Sequence, residues 1–223
     1  MISPIFTTIV IGFLAIMVYM KATTTRFNTG DDDVIENESR ANAVRRKSLD
    51  DLNYIHIPVE TLPFHNEDTE KTADGPRKSI NSDVILRDDE NNILRMCDRK
   101  IVNFTGMSNT DLKMTYGAPN LTVLSEYDAN FTELVKALDT WGTHLIERDL
   151  KDDARKVLEF AVECRSDLKS TYTGLADMYV DGFEFDKLDH ITEIAGGLNS
   201  LMKEPILRAL KDKADLRNLK FNE

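Results

Sequence analysis

The chain has 223 residues, 41% apolar and 30% charged, with a formal charge of −11. That length holds one large or two small domains, and the acidic balance disfavours nonspecific nucleic-acid binding, which needs a positive face. Cys97 and Cys164 lie far apart with no Cys-x-x-Cys pattern, which excludes a zinc ribbon or redox pair and suits a reducing compartment.

Residues 2–20 are uncharged and rich in Ile, Phe, Leu, Val, Met and Tyr. As a helix they would span roughly 28 Å, about the hydrocarbon thickness of a bilayer. No Lys or Arg precedes the run, and it is longer than the apolar core of a cleaved secretory signal, so a transmembrane anchor is expected. Lys21, Arg26, Arg40, Arg45, Arg46 and Lys47 follow it. Basic flanks stay on the cytoplasmic side, so the N-terminus is expected outside and the C-terminal domain in the cytoplasm. Four Asn-x-Ser/Thr sequons, at Asn37, Asn103, Asn120 and Asn130, argue the other way. The cluster Arg45, Arg46 and Lys47 could attract anionic lipid, or simply belong to a solvated linker.

Residues 21–83 read as a linker, largely disordered. Within it a thin apolar stripe allows a helix over 34–52. Residues 54–64, YIHIPVETLPF, alternate large apolar and polar side chains around two prolines. That pattern predicts an extended arm, an edge strand at most, able to dock on a groove of its own chain or of a partner. Residues 65–83 lack any apolar cluster. Residues 84–120 show short apolar pulses, which predict short strands and loops. A β-hairpin of 84–87 and 93–97 is expected, with the run DDENN as its turn.

From Ser125 the apolar spacing becomes helical. Ser125 or Asp128 is expected to cap a first helix running to about Arg148. A second begins at Asp152 or Asp153, a third spans about 169–180, a fourth 185–195, and a fifth starts near Pro205 and ends near Leu219. The last has a broad charged face, as expected of a helix covering the end of a stack. The fold class is therefore mainly α: an anchor at 2–20, a linker at 21–83, a strand and loop region at 84–120, and a helical domain at 125–219.

The helical region matches itself at a constant offset of about 34 residues, a period that belongs to helix–turn–helix repeats. Leu138, Trp141, Gly142, Leu145, Ala154, Leu158 and Ala161 fall on Tyr172, Leu175, Ala176, Tyr179, Leu188, Thr192 and Ala195. These residues resemble the tetratricopeptide repeat, which has a large residue, Leu, Gly or Ala, and Tyr on its first helix and Ala, a large residue and Ala on its second. Ser166 stands where that repeat usually ends in Pro, and Leu188 is bulky where Ala is usual, so the second copy could be splayed. The layout of anchor, linker and short repeat domain also resembles that of bacterial membrane-anchored repeat proteins. The resemblance implies antiparallel helix pairs whose first helices line a binding face. Carried over, that face holds Lys136, Asp139, Thr143 and Glu147, then Ser170, Thr173 and Asp177. Its acidic lean suits a basic or mixed-charge peptide or protein partner.

Catalytic spacing is missing. His56, His65, His144 and His190 have no metal-ligand spacing, and there is no phosphate-binding loop or nucleophile elbow. Asp152 and Asp153 open a helix, where the dipole favours them. The expected function is a membrane-anchored scaffold without catalytic site, metal, cofactor or small-molecule substrate. The alternative is a non-repeat helical accessory subunit of a larger membrane assembly.

Overall fold

A computed structural model describes residues 33–65 and 79–220, together with Ile16, Met17 and Tyr19. The rest of the expected anchor at 2–20, and residues 21–32 and 66–78 of the expected linker, lie outside the described residues. Those that are described are mainly helical and contain no strand, and no helix among them is long and apolar enough to cross a membrane. The helices are α1 (Val84–Leu94), α2 (Asn109–Tyr116), α3 (Leu121–Glu147), α4 (Lys151–Glu163), α5 (Lys169–Asp181), α6 (Phe185–Gly196) and α7 (Lys203–Lys220); residues 33–42 are also helical. Contacts divide the chain into two units, Met1–Leu49 with Ser108–Leu121, and Asp50–Met107 with Thr122–Glu223.

In the smaller unit α2 replaces an expected loop. Ser108 and Asp111 form a reciprocal capping box, which satisfies two backbone donors at the start of a short helix. The helix expected over 34–52 stops at residue 42. Glu38 on it pairs with Lys113 and accepts a hydrogen bond from Thr110 Oγ1 at 2.7 Å. Asn120 Nδ2 donates to the carbonyls of Lys47 at 2.9 Å and Tyr116 at 2.8 Å.

In the larger unit the expected β-hairpin is overturned, because residues 84–94 form α1. Asp83 Oδ1 caps it, accepting from the N–H groups of Ile85 at 2.9 Å and Leu86 at 3.3 Å. The inward stripe is Leu86, Asp89, Glu90, Ile93 and Leu94, all buried at helical spacing. Two carboxylates sit in that stripe, so an apolar count sees two pulses separated by a polar run. Residues 79–83 are likewise ordered, with Ser79 and Asn81 buried.

α3 starts four residues before Ser125, and neither Ser125 nor Asp128 caps it; Asp128 Oδ1 instead accepts from the Phe104 N–H at 3.3 Å. Leu124, Phe131, Leu134, Leu138, Trp141 and Leu145 form its buried stripe. α4 begins at Lys151 and α6 at Phe185; α5 begins at Lys169 and α7 at Lys203. Both pairs of starts are separated by the offset that relates Leu138 to Tyr172.

The turns inside the two copies repeat, whereas the turns that end them differ: Arg165 is left-handed, with φ of 59°, and its counterpart Asn199 is not. Asp149 and Phe183 both adopt left-handed backbone, with φ of 58° and 57°. The Leu150 N–H bonds to the Leu145 carbonyl at 2.9 Å, and the Glu184 N–H bonds to the Tyr179 carbonyl at 2.8 Å. These are equivalent six-to-one closures of a helix C-terminus. Ser166 Oγ accepts from the Leu168 N–H at 3.2 Å, and Ser200 Oγ accepts from the Met202 N–H at 3.1 Å. Both are tight serine turns at a copy boundary, and Ser200 Oγ in addition donates to Asp167 Oδ2 at 2.5 Å. Ile206 and Leu210 of α7, in register with Tyr172 and Ala176, are fully buried.

Close approach is visible at Gly142. A Cβ there would lie 2.4 Å from Leu158 Cδ2 and 2.7 Å from its Cγ. Leu158 also borders Gly174, where a Cβ would sit 3.3 Å from its Cδ1. The pairs 142–158 and 158–174 are centred on the intervening turns, so α3, α4 and α5 run antiparallel in succession. The extended arm docks on its own chain: Leu62 is buried, Phe64 stacks on Trp141 at 4.9 Å between centroids, and the Ile55 N–H bonds to the Ile101 carbonyl at 2.9 Å.

Candidate functional site

The side chains expected on the binding face lie along α3 and α5. Lys136, Thr143, Glu147, Ser170 and Asp177 are exposed, and Asp139 and Thr173 are half-buried. The two aspartates are engaged within the fold. Asp139 accepts hydrogen bonds from Ser170 Oγ and Thr171 Oγ1, each at 2.7 Å. Asp177 pairs with Lys213 of α7. Each links one first helix to the next. Thr143 donates to the Asp139 carbonyl at 2.8 Å, and Thr173 to the Lys169 carbonyl at 3.1 Å. Lys136 is exposed, and exposed Glu147 has its Oε2 3.9 Å from Arg148 Nη1. Thr171 and Lys213 were not foreseen; carrying the repeat register one helix further, to Lys203, would have brought Lys213 into view.

The other side of α3 is covered by α1 and the arm. His144 Nδ1 lies 2.6 Å from Asp89 Oδ2, and Arg148 Nε donates to Asp83 Oδ2 at 2.6 Å. Burial pushes the Asp89 carboxyl above its ordinary value against the opposing pull of His144. The Arg148 guanidinium, with the backbone donors of α1, holds the Asp83 carboxyl below its own. Glu90 is fully buried. It accepts from the His65 N–H at 2.8 Å, Ser79 Oγ at 2.7 Å and Asn81 Nδ2 at 2.8 Å, and faces His65 Nδ1 at 3.0 Å. The Ile80 N–H also bonds to the His65 carbonyl at 2.7 Å. One carboxylate therefore gathers the chain on both flanks of residues 66–78.

This cluster has the residue types of a nucleophile site but not its order. A serine nucleophile needs an imidazole against its hydroxyl and a carboxylate behind that imidazole. Here the carboxylate stands between Ser79 and His65, so Ser79 donates its proton to Glu90 and no base faces its oxygen. Burial raises the Cys164 thiol to about 12, which leaves it inert as a nucleophile. Among the described residues no three metal-ligating side chains converge.

A cleft of about 260 Å³ opens at one edge of the repeat. Glu163, Cys164 and Arg165 form one wall, and Gly197, Leu198 and Asn199 form another. These triplets occupy equivalent places in the two copies, at the C-terminal ends of α4 and α6. Asn53 and Ile55 of the arm and Asn103 and Thr105 of the following loop complete the lining. Asn103 Nδ2 donates to the Cys164 carbonyl at 3.1 Å, and Asn199 Nδ2 to the Gly106 carbonyl at 3.3 Å. Gly106 has φ of 87°, and a Cβ there would lie 2.1 Å from Asn199 Nδ2, so only glycine lets these walls meet. Nothing in the apolar pattern marks this cleft; it follows from the spacing between helix ends.

Comparison with protein-family models, with curated proteins and with solved structures finds no match for this chain.

Proposed function

We propose that this chain is a membrane-anchored protein-interaction scaffold whose helical domain resembles tetratricopeptide repeats. The observation that carries the reading is the recurrence, one repeat period later, of helix starts, of the left-handed residues Asp149 and Phe183, and of serine turns ahead of a helix. A backbone that repeats in this way presents equivalent side chains in rows, and such rows are used for binding extended partners. The row assigned here lies on α3 and α5, namely Lys136, Asp139, Thr143 and Glu147, then Ser170, Thr173 and Asp177, with Asp139 and Asp177 also linking one helix to the next. The partner is a protein or peptide of basic or mixed charge. The reading assigns no catalysis, metal or cofactor.

Residues 2–20 are assigned to the membrane, with the N-terminus outside and the helical domain cytoplasmic. The described members of that segment, Ile16, Met17 and Tyr19, are helical and have exposed side chains, as lipid-facing residues would. Three of the four sequons that argue against this orientation have other work; the fourth, Asn37, is exposed. Asn103, Asn120 and Asn130 each donate their amide to main-chain carbonyls, and Asn120 is only 3% exposed. A glycan on Asn120 would break its bonds to Lys47 and Tyr116.

A second reading, a subunit of a larger membrane assembly, is favoured by the engagement of Asp139 and Asp177 within the fold. The two readings separate experimentally. Affinity capture of the full chain from its own membranes is expected to bring down a partner that the double variant K136E/E147K loses, with the variant's thermal unfolding unchanged. Capture that ignores both substitutions would defeat the scaffold reading. A reporter fused after Glu223 is expected to be active only in the cytoplasm.

A further inference from the structure

The edge cleft has a chemistry of its own, independent of the face assigned above. α4 and α6 both end at it, and a helix C-terminus carries about half a negative charge. Glu163 adds a full one. It is exposed and makes no ion pair with a described residue. Against these stands one cation, Arg165, in left-handed backbone with φ of 59°. Its guanidinium lies at the end of α6: a Cβ on Gly197 would be 3.1 Å from Nη1. Arg165 therefore offsets the α6 end, and the Asn103 amide donates to the Cys164 carbonyl just past the end of α4. The Glu163 carboxylate, which makes no ion pair with a described residue, shares the cleft lining with the polar residues Asn53, Thr105 and Asn199. Ile55 and buried Leu198 supply apolar wall between these polar groups.

We propose that this cleft binds an alkyl ammonium group, a primary ammonium on an apolar stem of four or five carbons. The ammonium sits against Glu163 and the amide oxygens, and the stem lies along Ile55 and Leu198. Such a group is amphipathic in the way the cleft is. It can come from a lysine side chain of a basic partner or from a free polyamine. A phosphate or other dianion is disfavoured by Glu163 and the two helix ends. Arg165 competes with the ligand for the same negative field, and this fixes the sign of a test.

The full chain in detergent micelles is titrated calorimetrically with 1,5-diaminopentane, with a lysine-containing peptide blocked at both ends, and with neutral 1,5-pentanediol. At least one ammonium probe is expected to bind, and the diol is not. Glu163→Gln is expected to weaken binding about three- to fivefold, the scale of one exposed ion pair. Arg165→Asn, which tolerates the left-handed backbone, is expected to tighten it. Binding of the diamine points to a free polyamine, and binding of the peptide alone to a partner's side chain. Failure of both probes, equal binding of the diol, or weaker binding by Arg165→Asn overturns the proposal; the last would mean that Arg165 holds the cleft walls in place and does not compete with an ammonium.

Discussion

The helix pairs from α3 to α7 and the region of α1 with its arm solve the same problem by different means. In the helix pairs, apolar side chains and two small residues set the packing, and polar groups serve as caps and links. In the α1 region two carboxylates, Asp89 and Glu90, occupy the buried stripe and are satisfied by His144, His65, Ser79 and Asn81. The first kind of packing is tolerant and repeats; the second is specific and occurs once. An unpaired buried carboxylate is costly, so α1 is held in one position by its partners rather than by area alone.

The helix pairs and the α1 region meet at Trp141 and Phe64. Trp141→Ala removes a fully buried ring together with the stacking partner of Phe64, and is expected to cost about 3–5 kcal/mol in denaturant unfolding. Glu90→Gln, nearly the same in shape, weakens three hydrogen bonds that depend on a charged acceptor. It is expected to cost about 1–3 kcal/mol and to increase proteolytic cleavage next to His65 and Ser79 before global unfolding. Global unfolding alone, without local cleavage, would mean that the clasp and the helix pairs are one cooperative unit.

Within the helix pairs two glycines discriminate. Gly142→Ala forces a methyl into Leu158 and is expected to destabilise by about 1–2 kcal/mol. Gly174→Ala meets the same leucine at a longer distance, and is expected to be neutral or to stabilise by up to about 1 kcal/mol through helix propensity. Equal effects would remove Gly142 as the point of close approach. Ser166→Ala, which loses one side-chain to backbone hydrogen bond, is expected to cost about 1 kcal/mol, and Ser200→Ala, which also loses its bond to Asp167, at least as much.

The smallest effect concerns pH. The folded Asp83 carboxyl lies below its ordinary value of 3.8, so its contribution is present above that value and is lost as pH falls through the folded pKa. Asp89 is shifted upward, so its contribution has the opposite sign: stability is present below 3.8 and is lost as pH rises through the raised pKa. Melting curves from pH 2 to 7 should therefore show a shallower acid loss for Asp83→Asn and a steeper one for Asp89→Asn than for the parent chain.

The legibility of the fold follows the same division. Leu138, Trp141, Gly142, Leu145 and their counterparts announce helices because nothing interrupts their spacing, and the starts of α4 to α7 fall within two residues of those expected. Ser166, read as a departure from the repeat, turns out to be matched by Ser200, a position too polar to attract notice in an apolar register. α1 was missed because Asp89 and Glu90 look like a turn until their partners are known, and His65 and Ser79 are distant in sequence. Asp139 and Asp177 lie on the face the register assigned, but their engagement with Thr171 and Lys213 depends on packing between helices. The edge cleft needed the geometry of two helix ends.

The claim that this is a binding scaffold is tested most directly by site-specific photocrosslinking in the chain's own membranes. A photoreactive residue replaces Thr143 on α3 in one variant and Asp189 on α6 in another, both exposed positions. The account predicts a discrete protein adduct from position 143 and none of that size from 189. Identical adducts from both positions, or adducts from 189 alone, would contradict it.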